Sequence, residues 1–240
     1  MASTYVTLVN QLLRRLNEVA LDTAGDGFGT VKGVQALAKD AINNSIRHIL
    51  QSGQEFPFLK TTYTHTLTAL QQEYSFPSDF SNVDWDSFFL KVHTTAGNEP
   101  RLLSPISYEE FLHKYRVADE TDTTGGVPLL VYQTYEEKFG ISPPPSTDFE
   151  VEYVYFMYPN DLSAYNDTCV IPSRFDHIIV DGAMMYLMRF RSNDVQAQIH
   201  ESNLKEGIRT MRNLLLDDEL SVRSTVVERS NLPRVFSGIN

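Results

Sequence analysis

The sequence predicts an α+β fold in which two pairs of helices flank a β-rich insert. Apolar residues recur at three- and four-residue steps in two segments near the start of the chain and in two near its end, a spacing typical of amphipathic helices. Between them, short β-branched and aromatic runs alternate with turn residues, which favours strands. Helices and strands that are segregated along the chain in this way indicate α+β, with an antiparallel insert projecting from one four-helix bundle.

The first helix is predicted over residues 4–20. The second is expected to begin at Thr30, a plausible N-cap, and to end near Gly53. The third is expected to begin near 172–173. The fourth is expected to begin at Asp194, a good N-cap residue, and to end over 217–219.

Strands are predicted over 61–70, 87–94, 128–134 and 150–158. In the last segment, Val151, Tyr153, Tyr155 and Met157 alternate with Glu152, Val154 and Phe156, so they should share one face of the strand. Residues 107–115 predict a short helix, with Ser107 as its cap and Glu110 completing a capping box. We therefore expect a helical bundle domain formed by 1–55 and 172–218, an inserted β-rich domain over 56–171, and an extended C-terminal arm over 219–240, where helical periodicity is lost.

The acidic excess of the chain lies in the predicted β insert. The net charge is −11, and residues 53–171 alone carry 18 acidic and 6 basic side chains, a net charge of −12. Such a surface binds phosphates poorly, which argues against a protein that grips nucleic acid. The excess serves solubility, or it forms a surface that repels DNA or meets a basic partner.

No motif in the sequence indicates catalysis, a metal site or a cofactor. The glycine-rich segment 22–29 lacks the preceding strand and the spaced lysine of a phosphate loop. Cys169 is the single cysteine and shows no neighbouring base, so it predicts a buried thiol. The histidines are too far apart in sequence for a local metal motif: His48, His65, His93, His113, His177 and His200. No apolar run approaches the roughly 20 residues of a membrane helix. We therefore expect no enzyme, no catalytic, metal or cofactor-binding residue, and no membrane partner.

Several stretches of the chain are similar to one protein family. They are YVTLVNQLLRRLNEV (5–19), VQALAKDAIN (34–43), FPFL (56–59), YSFPSDF (74–80), VDW (83–85), YFMYPNDLS (155–163), FDHIIVDGA (175–183) and RTMRNLL (209–215). Together they resemble head-to-tail adaptor proteins of short-tailed double-stranded DNA bacteriophages, also called connector or tail tubular proteins. These stretches are packing patterns and not chemical signatures.

The resemblance implies a structural virion protein of the tail or neck, assembled in the host cytoplasm. It implies a closed ring of roughly twelve subunits beneath the portal, with heterologous contacts between neighbours. The implied partners are the portal protein, the tail nozzle and the tail fibres. DNA would pass through the channel without specific binding.

Three groups of residues are candidates for these contacts. The loss of periodicity after Glu219, in an arm that could pair with a partner's sheet, predicts a portal-docking arm comprising Val222, Arg223, Val226, Val227, Arg229, Leu232, Val235 and Phe236. The candidate ring interface comprises Arg14, Arg15, Lys39, Arg189, Arg209 and Arg212. The candidate acidic surface comprises Asp119, Glu120, Asp122, Glu136 and Glu137.

Two other functions stay open at this point. The first is a non-catalytic carbohydrate- or protein-binding module that uses the β insert for recognition and forms no ring. The second is an enzyme whose site carries no recognisable motif, which the missing constellations disfavour.

Overall fold

The computed structural model describes residues 2–21, 27–52, 55–91, 99–136 and 138–215. Its helices are α1 (Tyr5–Arg15), α2 (Gly27–Thr30), α3 (Val34–Leu50), α4 (Tyr108–Lys114), α5 (Arg116–Thr121), α6 (Asp176–Phe190) and α7 (Asp194–Leu215). Its strands are β1 (Ala2–Thr4), β2 (Lys60–Leu67), β3 (Glu73–Ser75), β4 (Phe80–Val83), β5 (Phe89–Leu90), β6 (Arg101–Leu102), β7 (Ser104–Pro105), β8 (Leu130–Gln133), β9 (Lys138–Ser142), β10 (Phe149–Met157) and β11 (Thr168–Pro172).

The four long helices and their order confirm the α+β prediction. α1, α3, α6 and α7 form a helical unit, in which α6 lies at the centre and contacts the other three helices. It is buried around most of its circumference, since the side chains of Ile178, Ile179, Val180, Ala183 and Met184 are all buried. The description of these helices as a four-helix bundle stays a prediction. The predicted end of the fourth helix and the predicted arm lie outside the described residues.

Glycines permit the close approach of α6 to its neighbours. A Cβ atom at Gly182 would lie 2.2 Å from Ser45 Oγ on α3, and one at Gly207 of α7 would lie 2.8 Å from Ile178 Cγ1. Ser45 is fully buried, and its hydroxyl donates a hydrogen bond of 2.7 Å to the carbonyl oxygen of Ile179. The helix contacts therefore depend on the absence of side chains at these two positions.

Helix ends differ from the predicted ones because of local hydrogen bonding. α1 ends at Arg15 and not near residue 20, since Asn17 takes a left-handed φ of 56° and Glu18 N donates to Leu13 O at 3.0 Å, a Schellman arrangement. The prediction that Thr30 caps the second long helix is wrong: α3 begins at Val34 after Gly33, whose φ is 63°. α7 begins at Asp194, as predicted, but the side chain that accepts from its backbone, at Gln196 N, is that of Asn193 and not of Asp194.

β1 and β11 form a small sheet that was not predicted. The strands are antiparallel, with Ala2 opposite Pro172 and Thr4 opposite Thr168. They bring Cys169 and Ile171 into the hydrophobic core of the helices. A three-residue strand carries too little alternation to be recognised in the sequence.

The β insert is built from two sheets around an aromatic core. The first sheet has the order β2-β10-β5-β6, with β4 also paired to β10, and the second has the order β3-β9-β8-β7. Phe139 lies at the centre, with ring centroids 5.3 to 5.5 Å from those of His65, Tyr74, Phe76, Phe88 and Tyr153. This cluster is separate from the helical core.

β2, β8, β10 and α4 confirm the predictions over 61–70, 128–134, 150–158 and 107–115. Within the predicted strand 87–94, the described strand is β5 alone, and residues 92–94 lie outside the described residues. The expectation of an entirely antiparallel insert is wrong. β7 and β8 are parallel, and a parallel pair needs a crossover connection, which α4 and α5 supply. The alternation along β10 is confirmed, because Val151, Tyr153 and Tyr155 are buried. Ser107 Oγ caps α4 by accepting from Glu110 N at 3.1 Å, whereas the Glu110 carboxylate accepts from Lys114 Nζ at 2.6 Å.

Replacing Tyr153 by phenylalanine is expected to raise the free energy of unfolding by about 1 kcal/mol. Tyr153 Oη is buried and has no hydrogen-bond partner among the described residues, so the folded state leaves a polar group unsatisfied. Tyr74→Phe is the matched control, because Tyr74 Oη donates to Gln71 O at 2.7 Å, and its loss should destabilise by a similar amount. Urea unfolding measures both, and equal destabilisation by the two variants would contradict the assignment.

Candidate assembly surfaces

The residues of the predicted portal-docking arm lie outside the described residues. This group comprises Val222, Arg223, Val226, Val227, Arg229, Leu232, Val235 and Phe236. Their role therefore stays a prediction.

Three of the six candidate ring-interface cations make bonds within the helical unit. Arg15 Nη1 lies 2.6 Å from Asp181 Oδ1, and Arg189 Nη2 lies 2.7 Å from Glu201 Oε2. Lys39 Nζ donates to Phe28 O at 2.9 Å and lies 4.2 Å from the centroid of its ring. These side chains are positioned by their own chain, so they present a fixed charge to any neighbour.

The other three candidate cations are exposed and form no ion pair within the described part of the chain: Arg14 of α1, and Arg209 and Arg212 of α7. Arg209 lies beside a polar groove on the outer face of α7 that Lys205 and Glu206 also line. The outer face of α7 therefore offers guanidinium groups that are available to a partner.

A partly buried polar contact links three helices. Asp181 of α6 accepts from Arg15 of α1 and lies 3.5 Å from His200 Nδ1 of α7, and the Asp181 and His200 side chains are each 17% exposed. The structure places His200 of α7 against Asp181 of α6. This contact stabilises the relative positions of the helices and leaves the outer face of α7 unobstructed.

Two of the candidate acidic residues serve local structure. Asp119 is half-buried and accepts from Gln72 Nε2 at 2.7 Å, and burial raises the pKa of its carboxyl. Asp122 Oδ1 accepts from Thr124 N at 2.9 Å and from Gly125 N at 3.1 Å, and these bonds lower its pKa. Neither carboxylate is arranged as part of an outward-facing patch.

The remaining acidic candidates are more exposed. Glu120 pairs with Arg116 at 2.7 Å on α5, and Glu136 pairs with Lys138 beside the turn between β8 and β9. Glu137 lies outside the described residues. The role of these five residues as one acidic surface therefore stays a prediction, and the β insert as a whole carries a strong negative charge.

An aromatic cleft in the β insert was missed by the sequence analysis. It encloses about 710 Å³ and is lined by Trp85, Tyr108, Tyr135, Glu110 and Gln133, among others. Tyr135 is 79% exposed, and its ring meets that of Tyr108 edge-on at a centroid distance of 4.7 Å. The rings come from three separate segments, so no local pattern in the sequence could indicate the cleft.

The thiol and the titratable groups show no organised reactive centre in the described chain. Cys169 is buried, and burial raises the pKa of its thiol to about 11, which disfavours the nucleophilic thiolate. Among the described residues, no group of three histidine, cysteine or acidic side chains could hold a metal ion. No helix in the described ranges has the length and apolar character to cross a membrane.

Nearly the whole chain is similar to one known protein family. Residues 3–229 match the family model described as SU10 adaptor protein. No curated protein matches the sequence. The match includes the helical unit, the β insert and part of the predicted arm. This chain therefore belongs to the SU10 adaptor protein family, a family of structural phage adaptors.

Proposed function

We propose that the protein is the head-to-tail adaptor of a short-tailed phage, a ring subunit that joins the portal to the tail nozzle and fibres. The observation that carries this proposal is the family match over residues 3–229. This match covers both the helical unit and the β insert. In the proposed ring the helical unit, residues 1–55 and 172–218, forms the contacts beneath the portal. The β insert, residues 56–171, faces the tail, and the arm, residues 219–240, docks on the portal.

The distribution of charge supports a channel role. DNA has to slide past an adaptor without being held, and a negative wall lowers its affinity for phosphates. The six candidate cations lie on the helical unit, whereas the excess of carboxylates lies in the β insert. Subunits of this kind can join through the cations of the helical unit, while the acidic residues of the β insert repel the phosphates of passing DNA.

The aromatic cleft favours a second candidate function, a carbohydrate- or protein-binding module. Trp85, Tyr108 and Tyr135 line an open cleft together with polar groups, and exposed aromatic rings are common at such binding sites. This alternative forms no ring and ignores the portal.

The native mass of the purified chain, alone and mixed with portal protein of the same virion, tests the proposed function. A large closed ring in either sample supports the adaptor. A small oligomer that ignores the portal contradicts it and favours the binding module.

Deletion of residues 221–240 is expected to weaken portal binding by about tenfold or more, because it removes the proposed docking arm. Native mass spectrometry with portal rings measures the effect. The Tyr135→Ala variant is a suitable control, since it keeps the arm and changes only an exposed ring of the cleft. Normal joining of the truncated chain to portal rings would show that the arm is not the docking element.

A further inference from the structure

Strand β2 is a long and regular strand at the edge of the first sheet. It pairs with β10 over eight consecutive residue pairs, from Lys60 opposite Phe156 to Leu67 opposite Phe149, without a register shift. On its other side, no described strand pairs with it. Within the part of the chain that the structure describes, a row of backbone donors and acceptors is therefore left open along this edge.

The hydrogen bonds of β10 establish which β2 groups point outward. Glu150 O accepts from Lys91 N at 2.8 Å and Val154 O accepts from Asp84 N at 3.0 Å, so the even-numbered residues of β10 bond away from β2. Its odd-numbered residues therefore bond to β2, and Thr61, Tyr63 and His65 lie opposite them. Because the bonding direction alternates along an antiparallel strand, the N–H and C=O groups of Thr62, Thr64 and Thr66 point to the open edge.

Within the described residues, this edge has none of the prolines, bulges or covering strands that protect many edges against strand addition. The other edge strands of the two sheets are shorter: β6 and β7 have two residues each, β3 has three and β4 has four. β2 has eight residues, without proline or a bulge. Natural proteins block an edge of this length by charges, proline, bulges or a covering segment, so an exposed regular edge is typical of an interface.

Side chains at the same edge are also incompletely covered. Tyr63 lies on the core side of the sheet but is 39% exposed, and its neighbour His65 has a buried Nδ1 without a hydrogen-bond partner among the described residues. An added strand would place alternate side chains over these two rings. It would thereby continue the aromatic core outward.

The charge beside the edge favours a basic partner. Glu152 and Glu150 of β10 lie opposite Thr64 and Thr66, and the chain segments that contain β2, β4, β5 and β10, residues 55–91 and 148–158, carry eight acidic side chains and two lysines. Both lysines are engaged, since Lys60 lies 3.4 Å from Asp84 and Lys91 lies 2.8 Å from Glu152. A basic strand would complement this surface, whereas residues 216–240 of the chain itself carry four acidic and three basic side chains. A second copy would bring the same acidic edge and be repelled.

We propose that the open edge of β2 receives an extended, basic strand from the tail nozzle protein, which adds to the first sheet of the β insert. This inference rests on the proposed adaptor function. Backbone bonds to Thr62, Thr64 and Thr66 supply the pairing, and the surrounding carboxylates select lysine or arginine side chains in the added strand.

Thr64→Pro tests the edge, with Thr64→Val as its matched control. Proline removes the outward N–H and places its ring on the open edge, where a sheet tolerates it without losing bonds to β10. Both variants lose the hydroxyl that accepts from Lys91 Nζ at 3.1 Å, so the comparison removes the effect of that lost contact. The purified nozzle protein of the same virion is the probe, and binding is measured by titration.

We expect Thr64→Pro to weaken nozzle binding by about tenfold or more relative to Thr64→Val, with portal binding unchanged in both. Equal nozzle binding by the two variants would overturn the edge proposal while leaving the adaptor function intact. If the unmodified chain bound neither nozzle nor portal, the adaptor function itself would fail, and the edge proposal with it.

Amide hydrogen exchange of the unmodified chain gives a second test that does not depend on a variant. In the free chain the amides of Thr62, Thr64 and Thr66 should exchange quickly, while those of Tyr63 and His65 are protected by β10. Adding nozzle protein should protect the first group. Unchanged exchange in the complex would overturn the proposal, as would protection already present without nozzle, which would show that the chain's own segment or a second copy occupies the edge.

Discussion

Gly182→Ala is expected to lower the free energy of unfolding by about 3 kcal/mol, because it forces α6 away from α3. The new Cβ would lie 2.2 Å from Ser45 Oγ, 3.1 Å from Ser45 Cβ and 3.2 Å from Leu204 Cδ1. The Ser45 hydroxyl would have to leave its 2.7 Å bond to Ile179 O. The cost therefore combines overpacking with a buried Ser45 hydroxyl that loses its acceptor.

Chemical denaturation followed by circular dichroism at 222 nm measures this loss. Gly29→Ala is the matched control, since a Cβ at Gly29 meets nothing within 4 Å, and its effect should stay within about 0.5 kcal/mol. Adding Ser45→Ala to Gly182→Ala removes the shortest contact, so the double variant should be less unstable than the two single effects predict by addition. Equal stability of the Gly182→Ala and Gly29→Ala variants would contradict the close packing of α3 and α6.

Phe139→Ala is expected to lower the free energy of unfolding of the β insert by about 4 kcal/mol. Phe139 is fully buried, and its ring contacts five other rings at centroid distances of 5.3 to 5.5 Å. Truncation leaves a cavity that neighbours on two sheets fill only in part, because the backbone ladders hold the rings in place.

The Phe139→Ala variant also tests the proposed division into domains. Near-ultraviolet circular dichroism reports the aromatic cluster, and the 222 nm signal reports the helices. We expect the aromatic transition to shift to lower denaturant while the helical transition stays, since the two hydrophobic clusters are separate. Tyr135→Ala is the control, because its ring is 79% exposed and its loss should cost less than about 0.5 kcal/mol. A common shift of both signals would show that the two units unfold as one.

Local patterns in the sequence determined the order of the elements. The alternation along 150–158 predicted the central strand β10, because side chains on a strand reverse direction at each residue. Ser107 was recognised as a cap because the capping bond spans three residues. The absence of a local catalytic pattern and the acidic excess of the insert can likewise be read without a structure.

Features that join distant residues were decided by the tertiary structure alone. Ser45 meets Gly182 across 137 positions, and the cleft combines Trp85, Tyr108 and Tyr135 from separate segments. The open edge of β2 depends on which strands pair with β10 and on which side. A single sequence records the periodicity of each segment, whereas pairing and close packing arise from the summed free energy of contacts between segments. The chain by itself therefore determined an α+β protein with an acidic insert, and tertiary packing decided which faces and edges of that protein are available for assembly.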